Sequence, residues 1–241
     1  MIPRILHYCW FGGGTLPSDH QRYITNWKKH MPNWTLRKWD ESNAPANDYL
    51  SNALQQGNWA NASNWMRLRA LADEGGIYLD TDIEILRSLE PLRTETAFVG
   101  FEVKHADWEG CVNNAVFGAE PRHKFTQTLL ERIEQEFDGT EEAHRSSPHL
   151  TTRVLEEWGL KKYGRQTVQS VEVFPVEYFY PFGWHEDFSP DCLRKETYSI
   201  HWYGRSWTNV KLPLRRRLRA SWHLARWRLF RSKYLVRIGA Q

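Results

Sequence analysis

The segment that most constrains this chain is a helix that stops at two glycines and turns directly into an apolar strand ending on two aspartates. Ala60 to Glu74 has helical spacing, with Trp65, Leu68 and Ala72 on one face, and Gly75-Gly76 supplies the stop. Ile77 to Leu79 follows as a short buried strand, and Asp80-Thr81-Asp82 lies at its end. The same exchange of periods recurs along the chain. Ile2 to Phe11, Trp34 to Trp39, Ala97 to Glu102, Cys111 to Phe117, Val171 to Phe174 and Tyr198 to Trp202 read as strands. Helices are predicted from Asp19, as a cap, to His30, over 47–57, over about 121–137 and over 147–158. Strands alternating with helices predict an α/β fold whose sheet carries helices on both faces.

The charge pattern sets a boundary near residue 210. Of 32 Lys and Arg residues, ten fall in 211–241, where there is no Asp or Glu, leaving 22 basic against 29 acidic side chains in 1–210. An acidic body joined to a basic tail marks an interaction surface. In that tail Leu214, Leu218, Trp222, Ala225, Leu229 and Val236 form one stripe at 3.6 residues per turn, flanked by arginines and lysine. This is the pattern of a helix lying in an anionic membrane surface, and equally of a helix packed on a domain. The excess of arginines favours the membrane, with no nucleic-acid partner expected. A domain over 1–210 and a basic amphipathic tail over 211–241 are therefore expected.

The composition excludes other classes. At 41% hydrophobic and 25% charged residues the chain is neither disordered nor membrane-spanning. Three distant cysteines, Cys9, Cys111 and Cys192, make no disulfide framework and favour a reducing compartment. The stretch to Phe11 lacks a small-residue cleavage site, so no signal peptide is expected. No Cys-x-x-Cys, phosphate-cradling P-loop or Gly-x-Ser-x-Gly is present. His7, in an apolar strand, reads as a core histidine.

Residues two apart in a strand share a face, so Asp80 and Asp82 converge if the strand persists through them. Two close carboxylates repel unless a cation lies between them. Mn²⁺ or Mg²⁺ prefers oxygen ligands and shares its shell with phosphates. Such an ion neutralises a departing diphosphate. Asn64 and Arg67 lie one helical turn apart on one face, and the glycine turn brings that helix back toward Asp80. Arg67 offers a fixed charge and a donor fork for phosphate or sugar hydroxyls, or else pairs with Asp73 or Glu74.

Ala62-Ser63-Asn64-x-x-Arg67 followed by Gly75-Gly76-Ile77-Tyr78-Leu79-Asp80-Thr81-Asp82 resembles the DXD-containing sugar-binding region of the glycosyltransferase 32 family. That family includes yeast initiating mannosyltransferases and bacterial capsule and lipopolysaccharide enzymes, and is similar to the glucosylating domain of large clostridial toxins. Ile2 to Gly13, Asn113 to Ala119 and Ile200 to Trp207 match further family segments in the same order. The resemblance implies a GT-A-like nucleotide-sugar-binding fold with a mixed, mostly parallel sheet flanked by helices. It further implies a UDP- or GDP-hexose donor, Mn²⁺ or Mg²⁺, and retention of anomeric configuration. By match, Asp80, Asp82 and Arg67 are the catalytic residues, and Asp80, Asp82 and His201 hold the metal. Trp10, Asn64, Arg67, Asp80, Ser206 and Trp207 bind the donor, with Trp10 stacked on its base. The family usually has aspartate where this chain has Asn64, which keeps an acceptor oxygen without the charge.

The expected activity is thus hexose transfer to a glycan or lipid-linked glycan in surface polysaccharide synthesis, in the cytoplasm at the inner face of the cell membrane. A non-catalytic sugar-nucleotide or glycan-binding protein on the same fold is the alternative. A two-metal phosphoesterase would need more His and Asp ligands.

Overall fold

The structure, a computed structural model, describes residues 1–102, 111–184, 186–204 and 214–240. In chain order the elements are β1 (Ile5–Cys9), α1 (Ser18–His30), β2 (Thr35–Trp39), α2 (Asp48–Gln55), α3 (Trp59–Glu74), β3 (Gly76–Leu79) and β4 (Ile83–Ile85). There follow β5 (Ala97–Phe101), β6 (Val112–Ala119), α4 (Lys124–Glu136), α5 (Leu150–Glu157), β7 (Gln166–Val168), β8 (Val171–Phe174), α6 (Val176–Phe179), β9 (Ser199–His201) and α7 (Leu214–Arg237).

Seven strands form one sheet in the order β2-β1-β3-β6-β5-β8-β7, and β4 pairs separately with β9. In the large sheet β6 and β7 run against the other five strands, as their antiparallel pairings with β3, β5 and β8 require. Alternation assigns each side chain to a face. Tyr78, Val99, Phe117 and Val173 join the core beneath α2, α3, α4 and α5. Ile77, Leu79, Phe98 and Val116 join the opposite core with Tyr23, Ile24 and Trp27 of α1. His7 is fully buried in β1 and satisfied on both nitrogens: Trp39 Nε1 donates to Nδ1 at 3.1 Å, so Nε2 donates to Gly75 O at 2.8 Å.

Several local expectations change. Asp19 lies in the first turn of α1, paired with Arg22, rather than at the cap. In α3 the consecutive residues Trp65, Met66, Arg67 and Leu68 are all buried, so this helix is covered over most of its circumference rather than on one stripe, leaving Arg69 and Asp73 toward solvent. Its neighbours α2 and α4 cover the flank that faces away from the sheet.

α7 has two unlike sides. Trp227, Leu235 and the following Ile238 pack into a third core with Leu86, Phe182, Phe188 and Ile200. At its centre is Glu84 of β4, only 7% exposed. It accepts from Arg231 Nε at 2.8 Å and from the indoles of Trp202 and Trp227, each at 3.1 Å. A buried carboxylate is tolerated only when paired in this way. The other side carries Trp222, Leu229 and Val236 from the stripe seen in the sequence, exposed by 57%, 76% and 57%. The side chains of Leu214 and Leu218 lie outside the described residues. No described helix is long and apolar enough to cross a membrane.

Candidate active site

β3 ends at Leu79, and the chain turns through Asp80, Thr81 and Asp82 before β4 begins at Ile83. The turn is closed by the Ile83 amide donating to Asp80 O at 3.0 Å. The two carboxylates therefore converge through a turn and not through continued strand alternation. The site lies beyond the carboxyl end of a sheet strand, where open α/β sheets bind ligands.

Asp80 follows Tyr78 in face and meets α3. Its Oδ1 accepts from Arg67 Nη2 at 3.1 Å and from the Tyr78 hydroxyl at 2.8 Å. Arg67, 5% exposed, also donates through Nη1 to Oδ1 of Asn114 at 2.8 Å and through Nε to Ser63 O at 3.3 Å. The acidic residues near the end of α3 have other partners: Asp73 pairs with Arg69, and Glu74 with Arg37. Burial opposes the charge of Arg67, but Asp80 and the smaller contributions of the polar groups around it together raise the guanidinium pKa.

Asp82 faces the β4–β9 ribbon. Its Oδ1 lies 3.2 Å from Nε2 of His201, and its Oδ2 accepts from the Gly204 amide at 2.6 Å. Burial pushes this carboxyl up, but His201 and the Gly204 amide pull it further down, to about 2. Burial likewise disfavours a charged His201, yet Asp82 and then Asp80 hold its pKa above the ordinary value. The ribbon register places Ile83 opposite His201, which fixes this meeting. Tyr203, two residues on, adopts a positive φ of 49° and packs against His201 with its ring tilted by 32°, 4.1 Å between ring centres. Such backbone is strained in a bulky residue and clusters at functional sites.

Asp80, Asp82 and His201 each offer a ligand atom within 4.8 Å of the others. Two carboxylates and one imidazole are donors that a divalent cation accepts. His201 is 7% exposed, and its Nδ1 has no hydrogen-bond partner among the described residues. Among the described residues only one side of this imidazole is engaged, and the residues present fit a divalent cation.

Trp10 reaches the same cleft through a residue with no distinguishing signal in the sequence. His20 packs edge-on against Trp10 at 5.8 Å, and its Nδ1 lies 2.9 Å from Thr81 Oγ1, inside the Asp-x-Asp turn. Trp10 Nε1 donates to Gly14 O at 2.6 Å, which orients the ring. Asn64 is on the same buried side of α3, but its Nδ2 donates to Ala143 O at 2.9 Å and lies 3.3 Å from Ser146 Oγ. Ser206 and Trp207 lie outside the described residues. Since Asn64→Asp removes this donor and leaves Ala143 O facing a carboxylate, it is expected to cost about 1–3 kcal/mol of stability. Chemical denaturation measures the loss, and an undiminished stability would show that position 64 is free to serve a ligand.

Two family models match the chain. One, the glycosyltransferase sugar-binding region containing the DXD motif, matches residues 17–99, and the other, the alpha 1,4-glycosyltransferase conserved region, matches 118–217. Lactosylceramide 4-alpha-galactosyltransferase of Rattus norvegicus is 30% identical over 156 residues, covering 59% of this chain and 40% of that protein. Alpha-1,4-N-acetylglucosaminyltransferase of Homo sapiens is 26% identical over 141 residues, covering 56% of this chain and 38% of that protein. The chain therefore spans less than half the length of these relatives. Among solved structures, the PaToxG glycosyltransferase superposes with a TM-score of 0.54 at 15% identity, over 65% of this chain and 69% of that one. The mixed sheet flanked by helices is thus a GT-A fold, as the resemblance implied.

Proposed function

We propose that this chain transfers a hexose from a UDP- or GDP-linked donor to a glycan or lipid-linked glycan, with retention of anomeric configuration, as in the glycosyltransferase 32 family. The observation that carries this reading is the convergence of Asp80, Asp82 and His201 beside the buried Arg67. The two matching glycosyltransferase models support it, as does the lactosylceramide in the names of several relatives, a sugar acceptor carried on a lipid. A divalent cation at this cluster supplies Lewis-acid neutralisation of the diphosphate leaving group. Arg67 orients Asp80 and adds positive charge beneath the donor phosphates. Trp10, held by Gly14 and His20, presents a ring face for the base. The test is turnover of UDP- and GDP-hexoses with Mn²⁺, with and without a glycan acceptor, and the anomeric form of the product read by NMR. Donor binding without turnover under all conditions would favour the non-catalytic reading.

The outer side of α7 adds a place of action. Trp222, Leu229, Phe230 and Val236 are exposed there together with Arg226 and Lys233. Apolar side chains ringed by cations fit an anionic lipid surface, which supports a peripheral enzyme at the inner face of a cell membrane, engaged in surface polysaccharide synthesis. The full chain is expected to co-sediment with anionic vesicles at low salt, and Leu229→Asp with Val236→Asp to abolish this while the packed side keeps α7 in place. Equal sedimentation of the double variant would exclude the membrane role.

A further inference from the structure

A line of buried hydrogen bonds runs from the Asp-x-Asp turn, through Arg67, into the segment that precedes α5. Nη1 of Arg67 donates at 2.8 Å to Oδ1 of Asn114 in β6. A guanidinium can only donate, so the amide oxygen faces Arg67 and the amide nitrogen faces away. That oxygen accepts a second hydrogen bond, from the Ser147 hydroxyl at 2.6 Å, and Nδ2 donates to Oγ1 of Thr151 at 3.0 Å. Ser147 and Thr151 thus grip the two ends of one amide. All three residues are buried, where a hydrogen bond left unmade is not replaced by water.

The segment that delivers Ser147 is fixed independently. Asn58, Asn61 and Asn64 follow one another along α3 and its cap, each about a turn from the last. Each donates from Nδ2 to a carbonyl of that segment: Asn58 to Gly139 at 3.1 Å, Asn61 to Gly139 and Glu141 at 3.0 and 2.8 Å, and Asn64 to Ala143 at 2.9 Å. Arg145–His149 then form a π-helical turn that contains Pro148. Such turns are rare and recur at functional sites. Here the turn buries two consecutive hydroxyls that serve different partners. Ser146 Oγ lies 3.2 Å from the Tyr49 hydroxyl and 3.3 Å from Asn64 Nδ2, whereas Ser147 reaches Asn114. At the other end of the line, Arg67 holds Asp80 through Nη2 at 3.1 Å. A side chain with several free torsions orients its partner only when its own far side is fixed. Asn114 and the Ser63 carbonyl are what fix it.

We infer that Ser147 and Asn114 are positioning residues for sugar transfer, which lock the Arg67 guanidinium, and through it the Asp80 carboxylate, in the orientation the cation cluster needs. Among the described residues neither side chain hydrogen-bonds to Asp80, Asp82 or His201, so both act through Arg67. Asn64, where the family usually has aspartate, then belongs to the scaffold that delivers Ser147. The inference deepens the proposed transfer reaction and rests on that reading for its kinetic readout alone.

The deciding variant is Ser147→Ala, which removes one hydroxyl and leaves every charge in place. It is expected to lower kcat by about 3–10-fold with the donor KM unchanged, and to weaken Mn²⁺ binding by a similar factor. Mn²⁺ affinity is read by electron paramagnetic resonance of the full chain without any donor. Groups that orient a metal ligand directly are worth about 10–100-fold, and Ser147 stands further out than Arg67. Asn114→Ala, which also opens the core around β6, should lose about tenfold or more in both readouts. Ser146→Ala removes an equally buried hydroxyl of the same turn that does not touch Asn114. It should lower the melting temperature and leave kcat and Mn²⁺ affinity unchanged. In an Arg67→Lys background, where the link to Asn114 is already cut, Ser147→Ala should change either readout by less than about twofold. Wild-type kcat and Mn²⁺ affinity in Ser147→Ala, a matching loss in Ser146→Ala, or independent effects of Ser147→Ala and Arg67→Lys would each overturn the inference. Urea denaturation of the two single variants and the double repeats the last comparison without metal or donor, and additive losses of stability would likewise overturn it. A protein that transfers no sugar but loses Mn²⁺ affinity in Ser147→Ala would remove the transfer reading and keep the positioning of Asp80.

Discussion

Replacing Asp82 by alanine is expected to lower sugar transfer by about 10²–10³-fold or more, and to remove Mn²⁺-dependent nucleotide binding, while the chain still folds. The carboxylate faces both His201 and the Gly204 amide, so its loss leaves a cation only Asp80 and one imidazole. The structural cost is the Gly204 hydrogen bond together with the pairing to His201, about 1–3 kcal/mol. Asp82→Asn separates the two roles, because it keeps an acceptor for Gly204 but loses the charge. If the asparagine variant regains the wild-type melting temperature and remains inactive, the charge is what matters. Transfer at the wild-type rate by either variant would remove Asp82 from the metal site.

The largest expected loss of stability comes from Arg67→Leu. The side chain is almost wholly buried, and three receiving groups, Asp80, Asn114 and the Ser63 carbonyl, depend on it. Removing one partner of a buried ion pair typically costs about 3–5 kcal/mol, because the remaining charge is left uncompensated. The Asp80 side chain is 27% exposed and can regain some water, which places the expectation at the lower end of that range. Arg67→Lys keeps the charge but cannot reach Asp80 and Asn114 together, so an intermediate loss is expected. Urea denaturation of the three proteins provides the comparison, and a change below about 1 kcal/mol in Arg67→Leu would show that Asp80 does not rely on it.

The large sheet and its helices were legible because each long segment carries a clear period and a stop signal. β4, β7 and α6 were not, although β3, β8 and β9 are as short. β4 is the costly omission. Its central residue, Glu84, is a charge in a position that patterning assigns to solvent, and only the indoles of Trp202 and Trp227 with Arg231 explain its burial. Without β4, no spacing argument could bring His201 to Asp82, and only the family resemblance named that histidine. Asp80 and Arg67 were legible together because a helix, a glycine turn and a strand leave little freedom between them. In the tail, the outer stripe could be read from its period, but the inner side could not, because it is organised around a buried carboxylate from another part of the chain.

The β4–β9 ribbon also divides the site in time. Asp80 and Asp82 are made early in synthesis, and the sheet around them can begin to form at once. His201 and the Glu84 partners on α7 arrive only after the rest of the sheet has been made. Contacts so distant in sequence form late, after the loop-closure entropy between them has been met. A nascent chain therefore holds Asp82 without His201, and Glu84 without its partners, for most of its elongation, while Asp80 already has Arg67. Full assembly of the cation cluster is thereby a late event in folding, and a chain interrupted before β9 carries the Asp-x-Asp turn without the histidine that completes it.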